Sequence, residues 1–206
     1  MIICVSDNSW FRIGLKEIIQ ACSKEKRELC FLSFKKANGI LRDTAIVSPV
    51  TIIVDYAFVS HDLLFLLLRL KRKNRLNNIL IITANERIVD VTENIVLDSV
   101  ADVLIDNSES REKISNFMIK DNAGQIISKS VTNKVWAMIK KKATLTHREI
   151  DLMPFIITGK GNKEISRQFD ISEKMVSIHR RNIYTKLHVD SLTGLYNYLT
   201  MDVKAF

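Results

Sequence analysis

Along the first half of the chain, apolar runs of strand length alternate with stretches of helical pattern: "MIICVS", "WFRIGLKEIIQAC", "LCFLSF", "GILRD", "VTIIVDY", "DLLFLLLRLKRK", "NILIITAN", "VTENIVLDSV" and "ADVLIDN". A chain that returns to a strand after each helix builds a parallel sheet with helices on both faces, so the pattern predicts a doubly wound α/β domain. Such sheets assemble their working residues at the carboxyl ends of the strands. Asp7, Asp55 and Thr83 stand at or just beyond those ends. Past Asp121 the pattern changes. "DNAGQ" is a polar break, "SVTNKVWAMIKKK" reads as a linking helix with Val131, Val135 and Ile139 on one face, and everything after Ala143 is helical. The expected organisation is an α/β domain over 1–122, a helix-bearing linker over 123–143 and a small all-α domain over 144–206.

One stretch of the second half, "SEKMVSIHRRNIYTKL" (172–187), combines an oily stripe with Lys174, Arg180, Arg181 and Lys186. At about 100° per residue, Val176, Ile183 and Leu187 fall together with His179 at their edge, which makes that side the buried one. The opposite side carries Lys174, Ser177, Ile178, Arg181 and Thr185. That mixture is too basic for a core and too apolar at its centre for an idle solvated face, so it is a candidate binding surface.

The preceding stretch supplies the frame for this helix. "LTHREIDLMPFIITGK" opens with Thr146 and Glu149 at capping-box spacing, so a helix starts there. Gly159 suits its C-terminal cap, Asn162 can cap a second short helix "KEISRQF", "DI" forms the turn, and Ser172 caps the basic helix. Ser166 is small where the two helices must cross. Pro154 lies inside the first helix, where it removes a backbone hydrogen bond and predicts a kink. Two short helices joined by a tight turn, the second exposing basic residues, are the geometry that places a helix in the DNA major groove.

Charge agrees with that geometry. Among 206 residues, 31 Lys and Arg against 23 Asp and Glu leave a formal charge of +8 and a pI near 9.4, a balance that favours polyanionic partners. The excess sits in patches such as "KKANG", "RLKRKNR" and "KKK", so folded domains carry it rather than a basic tail. The three cysteines, Cys4, Cys22 and Cys30, have no metal-ligand spacing and read as packing thiols of a reducing compartment. "MIICVSDNSW" has no basic start and meets Asp7 before any long apolar run, so no secretory signal and a cytoplasmic location are expected. "LLFLLLRLKRK" is too short to span a bilayer and is interrupted by Arg69, which makes it a buried helix with no membrane role.

Taken together and in order, "LTHREIDL", "GKGNKEISRQFDIS" and "MVSIHRRNIYTKLHV" resemble the LuxR-type DNA-binding domain of NarL/FixJ response regulators, over essentially all of 144–206. The resemblance implies a tetrahelical helix-turn-helix domain whose partner is double-stranded DNA. Carried over by position, its base-contacting residues are Ser177, Ile178 and Arg181, the last suited to guanine and Ile178 to a thymine methyl. Lys163, Lys174, His179 and Lys186 are placed for phosphates, His179 equally as a half-buried packing residue. The family usually has a basic residue where Ser177 stands, so the target differs. The family's last helix makes a dimer contact, here Leu192, Leu195, Tyr196 and Leu199, unless these side chains close the small domain's own core.

The first half resembles the receiver domain of response regulators more by layout than by motif. Asp55 falls where the family's phosphoryl-accepting aspartate lies, and Thr83 at its expected separation. A receiver also needs two acids after the first strand to hold magnesium and a lysine after the fifth. Here the first position is Ser6-Asp7 and the second is Asn107 or Asp106; the family's "Met-Pro" is replaced within "YAFVS". The expected domain is therefore a degenerate receiver used for dimerisation, with Asp7 and Thr83 vestigial. The alternatives are a phosphorylation-activated regulator working through Asp55, or an auxiliary heterodimer partner of another LuxR-type regulator. An enzyme finds little support: His61, His147, His179 and His188 have no metal-ligand spacing, no nucleophile elbow is present, and "GKGNK" lacks the spacing of a phosphate loop. No cofactor and no metal are expected.

Overall fold

The computed structural model describes residues 1–22, 28–43, 49–56, 61–73, 77–83, 91–106, 110–121 and 144–204. The chain forms two compact units, Met1–Arg87 with Val100–Ser130, and Ile88–Ser99 with Val131–Phe206. The expected linker, with Val131, Val135 and Ile139, lies outside the described residues, as do Asn107 and most of "YAFVS".

In the first half of the chain, strands β1 (Ile2–Val5), β2 (Leu29–Leu32), β3 (Thr51–Asp55), β4 (Asn78–Thr83) and β5 (Val103–Asp106) alternate with helices α1 (Ser9–Cys22), α2 (Phe34–Asp43), α3 (His61–Lys73), α4 (Val91–Val100) and α5 (Ser110–Asp121). The strands form one parallel sheet in the order β2-β1-β3-β4-β5. The parallel, doubly wound arrangement is the one predicted from the alternation; its strand order reverses between β1 and β3. Side chains of a strand alternate between faces. One face sends Ile2, Cys4, Ile53, Leu80, Ile82, Val103 and Ile105 into a core with Leu15 and Ile19 of α1 and Ile114, Phe117 and Met118 of α5. The other set, Ile3, Val5, Ile52, Val54, Ile79 and Ile81, is equally buried, so both faces are covered. The oily run from Leu63 is a buried helix, with Leu63, Leu64 and Leu67 at 1% exposure or less. Among the described residues no helix is long and apolar enough to cross a membrane.

The second half is helical: α6 (His147–Ile157), α7 (Asn162–Phe169), α8 (Glu173–Lys186) and α9 (Leu192–Lys204). Thr146 and Glu149 make the predicted capping box. Gly159 adopts φ +76°, and its N–H bonds Ile156 O while Lys160 N–H bonds Phe155 O, both at 3.0 Å. That is a Schellman stop, which needs a left-handed residue at this position. One cap differs from expectation: Gly161, not Asn162, takes the N-cap of α7, and Asn162 is the first helical residue. The Gly161 carbonyl already accepts from Glu164 and Ile165 N–H, so the helix begins one residue earlier than the side-chain rule gave. Ser172 caps α8 as expected, accepting from Met175 N–H. Leu152, Met153, Ile156, Ile165, Val176, Ile183, Leu195 and Leu199 are all fully buried and form the interior, with Phe155 edge-on to Phe169 at 5.0 Å.

Two non-glycine residues close helices in the left-handed region, Asp170 at φ 51° and His188 at φ 55°. His188 stops α8 through its own N–H to Thr185 O and the Val189 N–H to Tyr184 O. A β-branched side chain is sterically ill-suited to that conformation whereas glycine adopts it freely. His188→Val is expected to lower unfolding free energy by about 1–2 kcal/mol and His188→Gly to leave it unchanged or raise it; chemical denaturation midpoints of the two variants check this.

Candidate functional site

Four cations on α8 divide into two kinds. Arg180 and Lys186 turn inward. The Arg180 guanidinium donates to the Lys160 carbonyl at 2.8 Å, which ties α8 to the turn that ends α6. The Lys186 ammonium donates to Glu149 Oε2 at 2.7 Å and to the Thr144 carbonyl at 3.3 Å. Glu149 is only 1% exposed, and the same carboxylate oxygen accepts from the Thr146 N–H at 2.7 Å. Lys186 is thus engaged inside the domain: two of its three donors are directed at α6 and the residues leading into it. Lys174 and Arg181, by contrast, are exposed.

Around these two cations the exposed face assembles as the helical wheel predicts. Ile178 is 39% exposed, Thr185 is exposed and Ser177 half-buried, while Val176 and Ile183 on the far side are fully buried. His179 is half-buried at the edge of the stripe. Lys163 is exposed in the first turn of α7, the helix packed on α8. Ser166 is half-buried there, its hydroxyl turned back to the Lys163 carbonyl at 2.9 Å. Leu195 and Leu199, read as half of a dimer contact, are fully buried in the domain's own core. The covering atoms come from this chain, so these two residues are core. Tyr196 is 44% exposed and Leu192 half-buried.

The strand ends of the sheet form a separate cluster. The register that pairs Val5 with Val54 brings Ser6 beside Asp55 at the point where the strand order reverses. Both are buried, and the Ser6 hydroxyl donates to Asp55 Oδ2 at 2.7 Å. Arg12, from the first turn of α1, donates through Nε at 2.7 Å and through Nη2 to the Ser6 carbonyl, and stands 3.8 Å from the exposed Asp7 carboxylate. Thr83 is buried at the end of β4, its hydroxyl 3.4 Å from the Ile105 carbonyl. Asp106 ends β5 in register with Thr83. Burial pushes the Cys4 thiol up from 9.0 to about 12, Arg12 pulling against that rise and Asp55 adding to it, so Cys4 is an inert core thiol. Among the described residues no group of three or more His, Cys, Asp or Glu is placed to hold a metal ion. Sequence reasoning missed Arg12: it sits among the apolar residues that open α1 and matches no receiver motif.

With this geometry in view, comparison with known proteins is decisive for the second half. Residues 143–199 match the family of bacterial regulatory proteins of the luxR type. This segment is a LuxR-family helix-turn-helix domain. Over 67 residues the chain is 34% identical to the Fimbriae Z protein of Escherichia coli K12, covering 32% of each chain. Over 53 residues it is 40% identical to the transcriptional regulatory protein FixJ of Bradyrhizobium diazoefficiens, covering 26% of each. The matched stretches thus span about a third or less of these relatives' lengths. The first half is similar in fold. A structure of RcsB from Salmonella enterica serovar Typhimurium, bound to promoter P1flhDC in the presence of a phosphomimetic, superposes with TM-score 0.54 at 15% identity, over 97% of this chain and 98% of that one. This two-domain architecture, a doubly wound sheet followed by a LuxR-family domain, is the one expected from the sequence.

The Glu149–Lys186 pair has a measurable signature. Burial alone would raise the Glu149 pKa, but hydrogen bonds from Lys186 and Thr146 outweigh it and hold the carboxyl below its ordinary value of 4.5. A lowered native pKa contributes stability that is complete above the unfolded value and is lost as pH falls through the native one. Thermal melts of the full chain should therefore lose stability below about pH 4.5, and Glu149→Gln should flatten part of that dependence. Lys186→Ala at pH 7 leaves a buried carboxylate without its counter-charge and should cost about 1–3 kcal/mol, the lower end reflecting the partial exposure of Lys186.

Proposed function

We propose that the chain is a sequence-specific, DNA-binding transcriptional regulator that lays α8 in the major groove and acts in the cytoplasm. The observation that carries this reading is the sorting of cations on α8: Arg180 and Lys186 hold the helix to its own domain, which leaves Lys174, Ser177, Ile178 and Arg181 displayed on the outer side. Family membership of 143–199 and the promoter-bound state of RcsB support it. Arg181 reads a guanine by paired hydrogen bonds, Ile178 meets a thymine methyl and Ser177 is a permissive reader. Lys163 and Lys174 contact phosphates, with His179 at the margin. The domains are 1–122, receiver-like, and 144–206, DNA-binding, joined by 123–143. The regulator works as a two-fold pair with its own copy or with another LuxR-type subunit, through the receiver-like domain, because paired half-sites match a paired protein.

The receiver-like domain works without phosphorylation at Asp55. Phosphoryl transfer to a carboxylate needs a metal and cationic groups to offset charge on the transferred oxygens. The residues at the strand ends do not fit a divalent cation: Ser6 replaces one acid and spends its proton on Asp55, while the remaining acid, Asp7, lies beside the Arg12 guanidinium. That arrangement supports a constitutive pairing domain over a phosphorylation-gated one.

Two kinds of contact give two kinds of loss. Arg181→Ala should weaken specific binding by about 1–3 kcal/mol and relax preference at one base position per half-site. Lys174→Ala should weaken all sequences alike and reduce the slope of log affinity against log salt by about one unit. Binding titrations over single-base operator variants and over salt separate these; an unchanged preference profile in Arg181→Ala would remove it as a base reader.

Asp55→Asn keeps the shape of the strand end while removing the nucleophile. Reporter output and operator affinity should stay within about twofold of wild type, a change of about 0.4 kcal/mol. Incubation with magnesium and acetyl phosphate should add no phosphate by intact mass. Stoichiometric labelling lost in Asp55→Asn, together with lost regulation, would restore the phosphorylated mechanism.

A further inference from the structure

The apolar part of the exposed face on α8 is wider than Ile178 alone. In the described residues of the small domain, the large hydrophobic side chains that stand well into solvent are Met175 at 42%, Ile178 at 39% and Tyr196 at 44%. Two of these three share α8, three residues apart. Residues at that spacing are neighbours on a helix surface. The core does not use Met175: the inward positions of the same helix are Val176 and Ile183, both fully buried. Its backbone is nevertheless fixed, because the Met175 N–H donates to the capping hydroxyl of Ser172 at 3.2 Å. The side chain therefore leaves the first turn of the helix from a defined point. Recognition helices present their N-terminal residues to base edges. An exposed apolar pair costs hydration free energy, and a face serving phosphates alone has no use for it.

In the major groove the apolar feature of a base edge is the C5-methyl of thymine. Three helical residues advance about 4.5 Å along the axis, which is one to two base steps of about 3.4 Å. We infer that Met175 is a further specificity-determining residue, packing its flexible thioether against a second thymine methyl within two base steps of the one met by Ile178. This rests on the DNA-reading role proposed above for α8. A thioether with three rotatable bonds adapts its reach to the groove, which a β-branched side chain, stiff at its first torsion, does not.

The test begins with selection of bound sequences from random double-stranded DNA by the full chain. Each thymine of the selected site is then replaced in turn by uracil, which removes only the methyl group. Wild type should lose about fourfold in affinity at two thymines no more than two steps apart, the equivalent of about 0.8 kcal/mol for each buried methyl. Met175→Gln, similar in length and compatible with a helix, should abolish the loss at one of them. Ile178→Ser should abolish it at the other, and Met175→Leu should retain both. A selected site whose methyl dependence is absent, or is unchanged in Met175→Gln, would overturn this inference while leaving DNA reading intact. Failure to enrich any sequence would overturn both.

Discussion

A carboxylate buried to 1% exposure must be compensated from within, and Glu149 is the group around which the small domain is organised. It accepts from the amide of Thr146 and from the ammonium of Lys186, both at 2.7 Å. The first contact starts α6; the second holds the last turn of α8 to that start. Arg180, six residues earlier on α8, is held on the Lys160 carbonyl. Two attachments along one helix fix its rotation as well as its position. A rotation of about 100°, one residue's worth, would bring Arg181 inward in place of Arg180. The outward display of Lys174, Ile178 and Arg181 is therefore a consequence of where Arg180 and Lys186 find their acceptors.

The carboxyl ends of β1 and β3 show a comparable closure. In place of a second acid, Ser6 offers a hydroxyl, and that hydroxyl is directed at Asp55. Arg12 then folds from α1 onto the Ser6 carbonyl. Each polar group at the β1–β3 junction thereby acquires a partner from the same chain, which offsets desolvation where the strand ends are buried. The cluster is a self-satisfied polar network whose members come from two strands and a helix, and such networks favour one arrangement over several.

Features governed by short offsets were legible from the sequence: the Thr146–Glu149 box, the left-handed Gly159, the Ser172 cap, the alternation of strands and helices. Each depends on residues within one turn or one strand of each other. What escaped depends on separation along the chain. A helical wheel gives the direction of Lys186 but not the presence of Glu149, 37 positions earlier, in that direction. The same limit hid the partner of Arg180, 20 positions back, and left open whether Leu195 and Leu199 face a second molecule or their own domain. Arg12 reaches a carbonyl only six residues away, yet across a strand–loop–helix junction whose path no periodicity specifies. The Gly161 cap was misplaced by a single residue for a different reason: the backbone carbonyl of a glycine satisfies a helix start without any side-chain signal.

This division changes how the basic composition bears on a polyanion. The formal charge of +8 counts every lysine and arginine alike. Of the cations in and around the small domain's second and third helices, Arg180 and Lys186 are engaged within the domain, and Lys160 is paired with Glu164 at 2.5 Å. A cation already bonded to a protein acceptor must give up that contact before it neutralises a phosphate, so its net contribution to association is small. On the DNA-binding reading proposed above, the attraction for nucleic acid falls to the exposed cations of these two helices, Lys163, Arg167, Lys174 and Arg181. Net charge favours approach to a polyanion over long range, but the orientation of docking is decided by the few cations that the internal pairs leave facing out.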